Sequence, residues 1–251
     1  MLVGTFKKLI GILILMSPAI ILTDIWYLTL LAIAFVIVIP LNAFAFSTVY
    51  HKLFSHRAFK PKAWVPYLGT FIASLLFLPS PKTFASLHRL HHKYADTDLD
   101  PHTPLHGKLY TFFHIFVKPS EKKKPISPEL REAVIKDFGI DYPILNKFND
   151  HLAFLAFLLF NVCMFMISAD AFVLSIFVAF VNMILHGFAN TYQHRVNQDN
   201  TVTIVNMPWL TMLISPEFNH ATHHDKASNY DFTNEDAKDW MAPIIRKYLS
   251  R

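Results

Sequence analysis

Three short histidine clusters are the residues of this sequence whose types and spacing best suit chemistry. In the first cluster, two histidines are separated by four residues. The second and third clusters both read His-x-x-His-His. The eight clustered residues are His51, His56, His88, His91, His92, His220, His223 and His224. Neutral imidazole is a good ligand for iron, copper, zinc and nickel. Three clusters with tight internal spacing therefore predict a metal centre held by several histidines.

The spacing also indicates how these side chains are presented. Positions i, i+3 and i+4 of a helix fall on one face, within about 100° of each other. The second and third clusters are therefore predicted to lie on helix faces. His51 and His56 are about 140° apart on an ideal α-helix. We expect them to converge only if the helix ends or distorts between them.

A further ligand pair is predicted near the end of the last apolar segment. His194 follows Asn190 by four residues, and His186 precedes Asn190 by four, so all three share one face of a helix. We predict His194 as a metal ligand and Asn190 as a ligand, directly or through water. His186 lies deeper and is interpreted as a hydrogen-bonded histidine within the membrane. The histidines without matching spacing are predicted to be surface or supporting residues: His102, His106, His114 and His151.

The composition is that of a membrane protein. The chain is 53% hydrophobic and 16% charged, whereas about 25% charged residues are usual in soluble domains. No lysine or arginine occurs in residues 9–51 or 148–194, and this distribution argues against nucleic acid as a partner. The single cysteine, Cys163, excludes an intramolecular disulfide and a thiolate-rich zinc site.

The apolar runs predict an all-α integral membrane protein with four transmembrane helices in two hairpins. The predicted pairs are residues 9–22 with 25–50, and residues 151–168 with 171–188. The outer turns carry Asp24 and Asp170 but no lysine or arginine, so the positive-inside rule places both termini and all three clusters in the cytoplasm. The run 63–78 is too short for a full crossing and is predicted to be interfacial or re-entrant. We expect residues 1–251 to form a single domain with a cytoplasmic helical cap.

Three polar segments carry narrower predictions. The acidic residues of segment 96–100 either orient ligand histidines or cap a solvated loop. The basic run 118–124 either meets lipid headgroups or an acidic partner, or is simply solvated. Ser127-Pro128-Glu129 has the residue types that begin a helix.

The sequence resembles the membrane fatty acid desaturases. The resemblance rests on the three clusters, with His56-Arg57, His88-Arg89, Asp100-Pro101-His102 and Asn190-x-x-x-His194 most similar to the acyl-CoA Δ9 group. It implies a di-iron centre held by nine histidines and a water-linked asparagine. It also implies O2-dependent insertion of a cis double bond into a fatty acyl chain, with two external electrons. The cytochrome b5 signature His-Pro-Gly-Gly does not occur, so a separate ferredoxin, rubredoxin or cytochrome b5 is the expected donor.

Departures from the family pattern leave alternatives open. The family often has Trp and Asp where this chain has Phe84 and Leu87, and the surroundings of the third cluster also differ. The acyl carrier therefore stays open between CoA, acyl carrier protein and a glycerolipid, and so does the double-bond position. A membrane hydroxylase or oxygenase of the same histidine-rich class is the alternative enzyme. A non-catalytic membrane metal binder would instead be expected to carry its ligands within the crossings.

Overall fold

The computed structural model describes residues 25–113 and 126–251, and these residues are mainly helical. The α-helices are α1 (Ile25–Asn42), α2 (Val65–Leu75), α3 (Pro81–Tyr94), α4 (Lys108–Phe112), α5 (Pro128–Asp141), α6 (Asp150–Ile167), α7 (Ala169–Tyr192), α8 (Pro208–Leu213), α9 (His220–Asp225) and α10 (Ala242–Ile244). Two π-helices, Ala43–Ser55 and Ile245–Leu249, and two strands, β1 (His194–Val196) and β2 (Val202–Ile204), complete the main elements. The predicted first membrane helix, the turn at Asp24, His114 and the basic run 118–124 lie outside the described residues.

Three helices in the described ranges are long and apolar enough to cross a membrane. They are Ile25–Ser55 with 31 residues, Asp150–Ile167 with 18 and Ala169–Tyr192 with 24. The first consists of α1 and the π-helix that continues it. Helix α2 has 11 residues, which at about 1.5 Å per residue is roughly half of a bilayer core. Its length therefore agrees with the prediction that the segment does not cross.

The long helices bring all the histidine clusters to one end of the molecule. Near the start of α1, Trp26 Nε1 donates a hydrogen bond to Asp170 Oδ1 in the first turn of α7, at 3.1 Å. Farther along both helices, Asn42 Nδ2 donates to Asn182 Oδ1 at 2.9 Å. The first span and α7 therefore run side by side in the same direction. Both end beside the histidines, opposite the end that carries Asp170.

The chain reverses between α6 and α7 at a single residue. Ser168 has an extended backbone, with φ −169°, and its hydroxyl accepts a hydrogen bond from Ala171 N at 3.0 Å. The turn was predicted at Ala169-Asp170, one residue after the position at which the chain reverses. Helix α5 begins where predicted, since the Ser127 hydroxyl accepts from Leu130 N at 3.2 Å and caps it.

The strict all-α prediction is wrong in one detail that bears on the site. Helix α7 ends at Tyr192, and His194 is the first residue of a two-stranded antiparallel sheet, where it pairs with Ile204. β-branched residues in both strands favour this hairpin, and Asn200, with φ 62°, closes its turn. His194 is therefore not on the helix face that carries Asn190, although it lies only two residues beyond the helix.

Candidate metal centre

The nine histidines predicted as ligands come together as two groups. The five-histidine group consists of His51, His56, His88, His92 and His223. The four-histidine group consists of His91, His194, His220 and His224. Within each group the available ring nitrogens all lie within 4.8 Å of one another. Sequence spacing correctly selected residues that converge, but it did not divide them into two groups.

The helical angle explains why one cluster serves both groups. Residues i and i+4 are separated by about 40° around an α-helix, whereas i+3 lies about 60° to the other side of i. His88 and His92 accordingly join the five-histidine group, and His91 joins the four-histidine group. In the third cluster, His220 and His224 stay together in the four-histidine group. His223 joins the other group, so the second and third clusters each contribute to both groups.

The first pair converges because the helix widens. Residues Ala43–Ser55 form a π-helix, in which each N–H bonds to the carbonyl five residues earlier. His56 N donates to His51 O at 3.3 Å in this pattern. Residues five apart then lie nearly above one another, and the two rings are 5.0 Å apart. The distortion that the spacing requires is therefore present.

The ring nitrogens are spaced as ligands around a cation would be. In the five-histidine group, His88 Nε2 lies 2.9 Å from His56 Nε2 and 3.0 Å from His92 Nε2. In the four-histidine group, His220 Nε2 lies 2.8 Å from that of His194 and 3.1 Å from that of His224. A metal–nitrogen bond of about 2.1 Å gives roughly 3 Å between adjacent ligands at right angles. The separations therefore fit two metal ions.

Carboxylates orient three of the clustered imidazole rings. Asp100 Oδ2 lies 3.0 Å from His91 Nδ1, and Asp96 Oδ1 lies 3.2 Å from His194 Nδ1. Glu217 contacts His51 Nδ1. An acceptor at Nδ1 keeps the proton there and leaves the Nε2 lone pair for a metal. The orienting alternative for segment 96–100 is thus the one that Asp96 and Asp100 adopt.

His91 gives the sharpest indication that the site holds a cation. Its side chain is 1% exposed, and its Nδ1 is occupied by Asp100. Among the described residues, its Nε2 is buried without a hydrogen-bond partner. A buried nitrogen with no partner is costly. Because this atom points into a group of other imidazoles, a metal ion accounts for it.

Burial keeps three of the clustered imidazoles in the neutral form that metals require. Burial, followed by the charge of Arg89, lowers the pKa of His56 to about 4. Burial, followed by the neighbouring His194, lowers the pKa of His224 to about 4. Burial likewise lowers the pKa of His91 well below its ordinary value. The lone pairs are therefore available at neutral pH without competition from protons.

These shifts lead us to expect an acid-sensitive metal-free protein. Below pH about 6.5 the unfolded chain binds protons at its histidines, while the folded chain keeps His56 and His224 neutral down to about pH 4. Because the unfolded state then binds more protons, the free energy of unfolding falls as the pH falls from about 6.5 to about 4, by up to about 1.4 kcal/mol per pH unit for each such histidine. Thermal unfolding of chelator-treated protein in detergent would measure the slope. A flat profile over this range would contradict the assignment, and His224→Asn is expected to reduce the slope.

An apolar cavity of about 360 Å³ borders both groups. Its walls include Phe46, Phe77, Leu78, Phe84, Leu87, His88, His91, His186, Asn190, Gln193 and His220. Asn190 lines the same cavity as His91 and His220, and its role as a ligand stays a prediction. His186 has its Nε2 3.4 Å from Asn42 Nδ2, in agreement with a hydrogen-bonded histidine inside the membrane. The cavity gives an apolar chain access to the space next to the ring nitrogens.

Several residues of the site were not assigned from the sequence. Glu217 precedes His220 by three residues, and its Oε1 accepts from Ser47 Oγ at 2.5 Å. Lys52, beside His51, pairs with Asp239 at 2.5 Å, and both side chains are fully buried. A charged residue that follows an apolar run needs an oppositely charged partner if it is buried. The position of Lys52 in the sequence therefore indicated a buried partner. The sequence does not indicate which acidic residue pairs with Lys52.

Comparison with known proteins agrees with this geometry. The fatty acid desaturase family profile matches residues 24–248, which is most of the chain. The match includes all ten residues predicted to bind metal. It also includes the three long apolar helices in the described part of the structure.

Individual relatives match over shorter segments. The Delta-9 desaturase-like 2 protein of Arabidopsis thaliana is 38% identical over 66 residues, 26% of this chain and 21% of the relative. The palmitoyl-monogalactosyldiacylglycerol delta-7 desaturase of the same plant is 33% identical over 84 residues, 34% of this chain and 22% of the relative. The acyl-CoA C20 Delta5-desaturase of Anemone leveillei is 36% identical over 75 residues, 30% of this chain and 23% of the relative. The matched segments therefore span only about a fifth to a quarter of these relatives.

Proposed function

Because this chain belongs to the fatty acid desaturase family, we propose that it inserts a cis double bond, at the Δ9 position, into a long fatty acyl chain. The observation that carries the proposal is the convergence of nine imidazoles in two groups beside an apolar cavity. A single metal binds far fewer than nine ligands, whereas two metals use them all. We further propose that residues 1–251 act as one domain.

Two iron ions are the proposed cofactors. The five-histidine group would hold one ion. The four-histidine group, with Asn190 directly or through water, would hold the other. When bound, the irons supply the redox chemistry that couples reduction of O2 to oxidation of the acyl chain. In the overall balance, O2 takes two hydrogen atoms from the acyl chain and two external electrons with two protons, giving one C=C bond and two water molecules.

The protein's own residues position the substrate and exclude water. Phe46, Phe84 and Leu87 line the cavity next to His88 and His91, so an acyl chain there displaces water from the reacting carbons. The ring of Phe84 stacks on His88 at 5.7 Å between centroids, which fixes the cavity wall relative to the ligand. Asp96, Asp100 and Glu217 hold the ligand rings in orientation.

The proposed arrangement in the cell follows from the helices and the charge pattern. We propose four membrane crossings, with residues 9–22 supplying the crossing outside the described ranges. The metal groups and both termini would face the cytoplasm. The electrons would come from a separate ferredoxin, rubredoxin or cytochrome b5. The relatives named for acyl-CoA and for a galactolipid keep both carriers as candidates, with acyl carrier protein as the third.

Fatty-acid profiling tests the proposal directly. A host that lacks the activity would express the chain unchanged or with His88→Ala, and its lipids would be compared. We expect a new monounsaturated acid, with its double bond at Δ9, only for the unchanged chain. His151→Ala is the matched control, because His151 is exposed and lies in neither group. A hydroxylated product without a new double bond would instead identify a hydroxylase, and unchanged lipids with altered metal uptake would favour a metal binder.

A further inference from the structure

A buried ion pair lies immediately behind the five-histidine group. Lys52 follows His51 in the π-helix, and its Nζ is 2.5 Å from Asp239 Oδ2. Both side chains are fully buried. Two charges removed from water in this way carry a large desolvation cost, which is offset only when their remaining hydrogen bonds are also satisfied. The hydrogen bonds around the pair therefore show which chain segments it holds together.

Asp239 organises the chain segment that follows the third histidine cluster. Its Oδ2 accepts a second hydrogen bond from Phe232 N at 3.1 Å. Its Oδ1 accepts from Met241 N at 2.9 Å and from Ala242 N at 3.2 Å. One carboxylate thus joins both ends of segment 232–242. Lys52 attaches this closed segment to the helix that carries His51.

Phe232 connects this attached segment to the rings of two clustered histidines. It is 1% exposed, and the Lys52 Nζ lies 4.3 Å from its ring centroid. Its ring lies 4.8 Å from the ring of His223 and 5.9 Å from that of His51. These two histidines face each other, with 3.0 Å between their Nε2 atoms. The segment therefore packs against two members of the five-histidine group at once.

We propose that Lys52 and Asp239 are positioning residues for the metal in the five-histidine group. The ion pair holds segment 232–242 in place, and Phe232 in turn fixes the rings of His51 and His223. Occupation of this group and docking of the segment therefore stabilise each other. The four-histidine group has separate carboxylate supports in Asp96 and Asp100. The segment reaches it through residues beside its histidines, such as Asn219, the neighbour of His220, which donates to Phe232 O at 2.8 Å, so loss of the pair is expected to affect the five-histidine group most. The inference rests on the proposed function only in that both groups hold metal.

Metal retention in the purified full-length protein tests this inference without measuring desaturation. Protein loaded with Fe²⁺ under anaerobic conditions would be challenged with a chelator, and the release rate of each of the two ions followed. For Asp239→Asn and for Lys52→Met we expect one ion to leave at least about tenfold faster, with the release of the other changed far less. Lys82→Met is the matched control, because it removes a lysine from the exposed pair with Glu132, at 3.0 Å. It is expected to leave both rates unchanged.

A second variant identifies which ion is affected. Asp96→Asn removes the charged partner of His194 and is expected to accelerate release of the other ion. Combined with Asp239→Asn, it is expected to accelerate both. Equal acceleration of both ions by Asp239→Asn alone would overturn the inference. A lower melting temperature with wild-type release rates would overturn it as well, because the pair would then support only the fold.

If these variants do not fold, amide hydrogen exchange of the wild-type protein tests the same coupling. Coupling between metal and segment is reciprocal. Removing Fe²⁺ from the wild-type chain is therefore expected to accelerate amide exchange at Phe232 and Met241, whose N–H groups bond to Asp239. The amides of helix α6, which carries none of the clustered histidines, serve as the internal control. Unchanged protection of Phe232 and Met241 on metal removal would refute the coupling.

Discussion

Replacing His91 by alanine is expected to reduce metal content from about two ions per chain to about one and to abolish desaturation. The four-histidine group would retain three imidazoles, and the carboxylate of Asp100 would lose the ring that it orients. We expect at least about a 100-fold loss of product, because even partners outside the ligand set are worth 10–100-fold in metal affinity or activity. Metal analysis of the purified protein and fatty-acid profiling of the host would measure the two effects together.

A milder variant distinguishes the role of His91 from that of Asp100, which orients its ring. Asp100→Asn keeps an oxygen near His91 Nδ1 but removes the negative charge, so we expect an intermediate loss of about 10–100-fold. Its carboxylate also accepts hydrogen bonds from Asp96 N and His102 N, both at 3.0 Å, so the loop geometry should be checked by thermal unfolding. His151→Ala again serves as the control. A His91→Ala protein that retains two ions and full product would exclude His91 as a ligand.

The parts of the site that were predictable are those that depend on local spacing. The interval His88-x-x-His91-His92 fixes a helical face, and a metal centre follows from three such clusters. The division of the histidines into two groups was not predictable in this way. It depends on how α3 and α9 are rotated relative to the π-helix, and that rotation is set by long-range packing. Arg89 illustrates this packing, since it donates to Ser55 O at 2.8 Å and to Asp137 at 2.5 and 3.0 Å.

Two local structures were not predicted in kind, although the spacing of His51 and His56 already required the helix to end or distort between them. The π-helix at Ala43–Ser55 differs from an α-helix by one residue per hydrogen-bonded ring, and no residue type in that segment specifies it. The hairpin that begins at His194 needs only three residues in each strand, too few for a periodic pattern. Both structures lie at the end of a long apolar helix. There the chain departs from regular geometry and brings a predicted ligand into the histidine groups, as is common at functional sites.

Filling the cavity at Leu87 is expected to block long acyl chains while leaving both metals bound. Leu87 lines the cavity together with Phe84 and His88, which lie three residues before it and one residue after it in α3. A tryptophan there adds an aromatic ring to a space of about 360 Å³, so we expect at least a tenfold loss of product from long chains. The side chain at position 87 is not a ligand, so the metal content should stay at about two ions per chain.

An exposed leucine outside the cavity provides the control for Leu87→Trp. Leu109 in α4 is 65% exposed, so Leu109→Trp adds the same bulk outside the cavity and is expected to leave the product unchanged. Fatty-acid profiles from hosts fed acids of different length would show whether shorter chains are spared, as a partly filled cavity requires. If Leu87→Trp desaturated long chains at the wild-type level with both metals bound, the acyl chain would not occupy this cavity. If it lost the metals as well, Leu87 would support the ligand rings and would not act on the substrate.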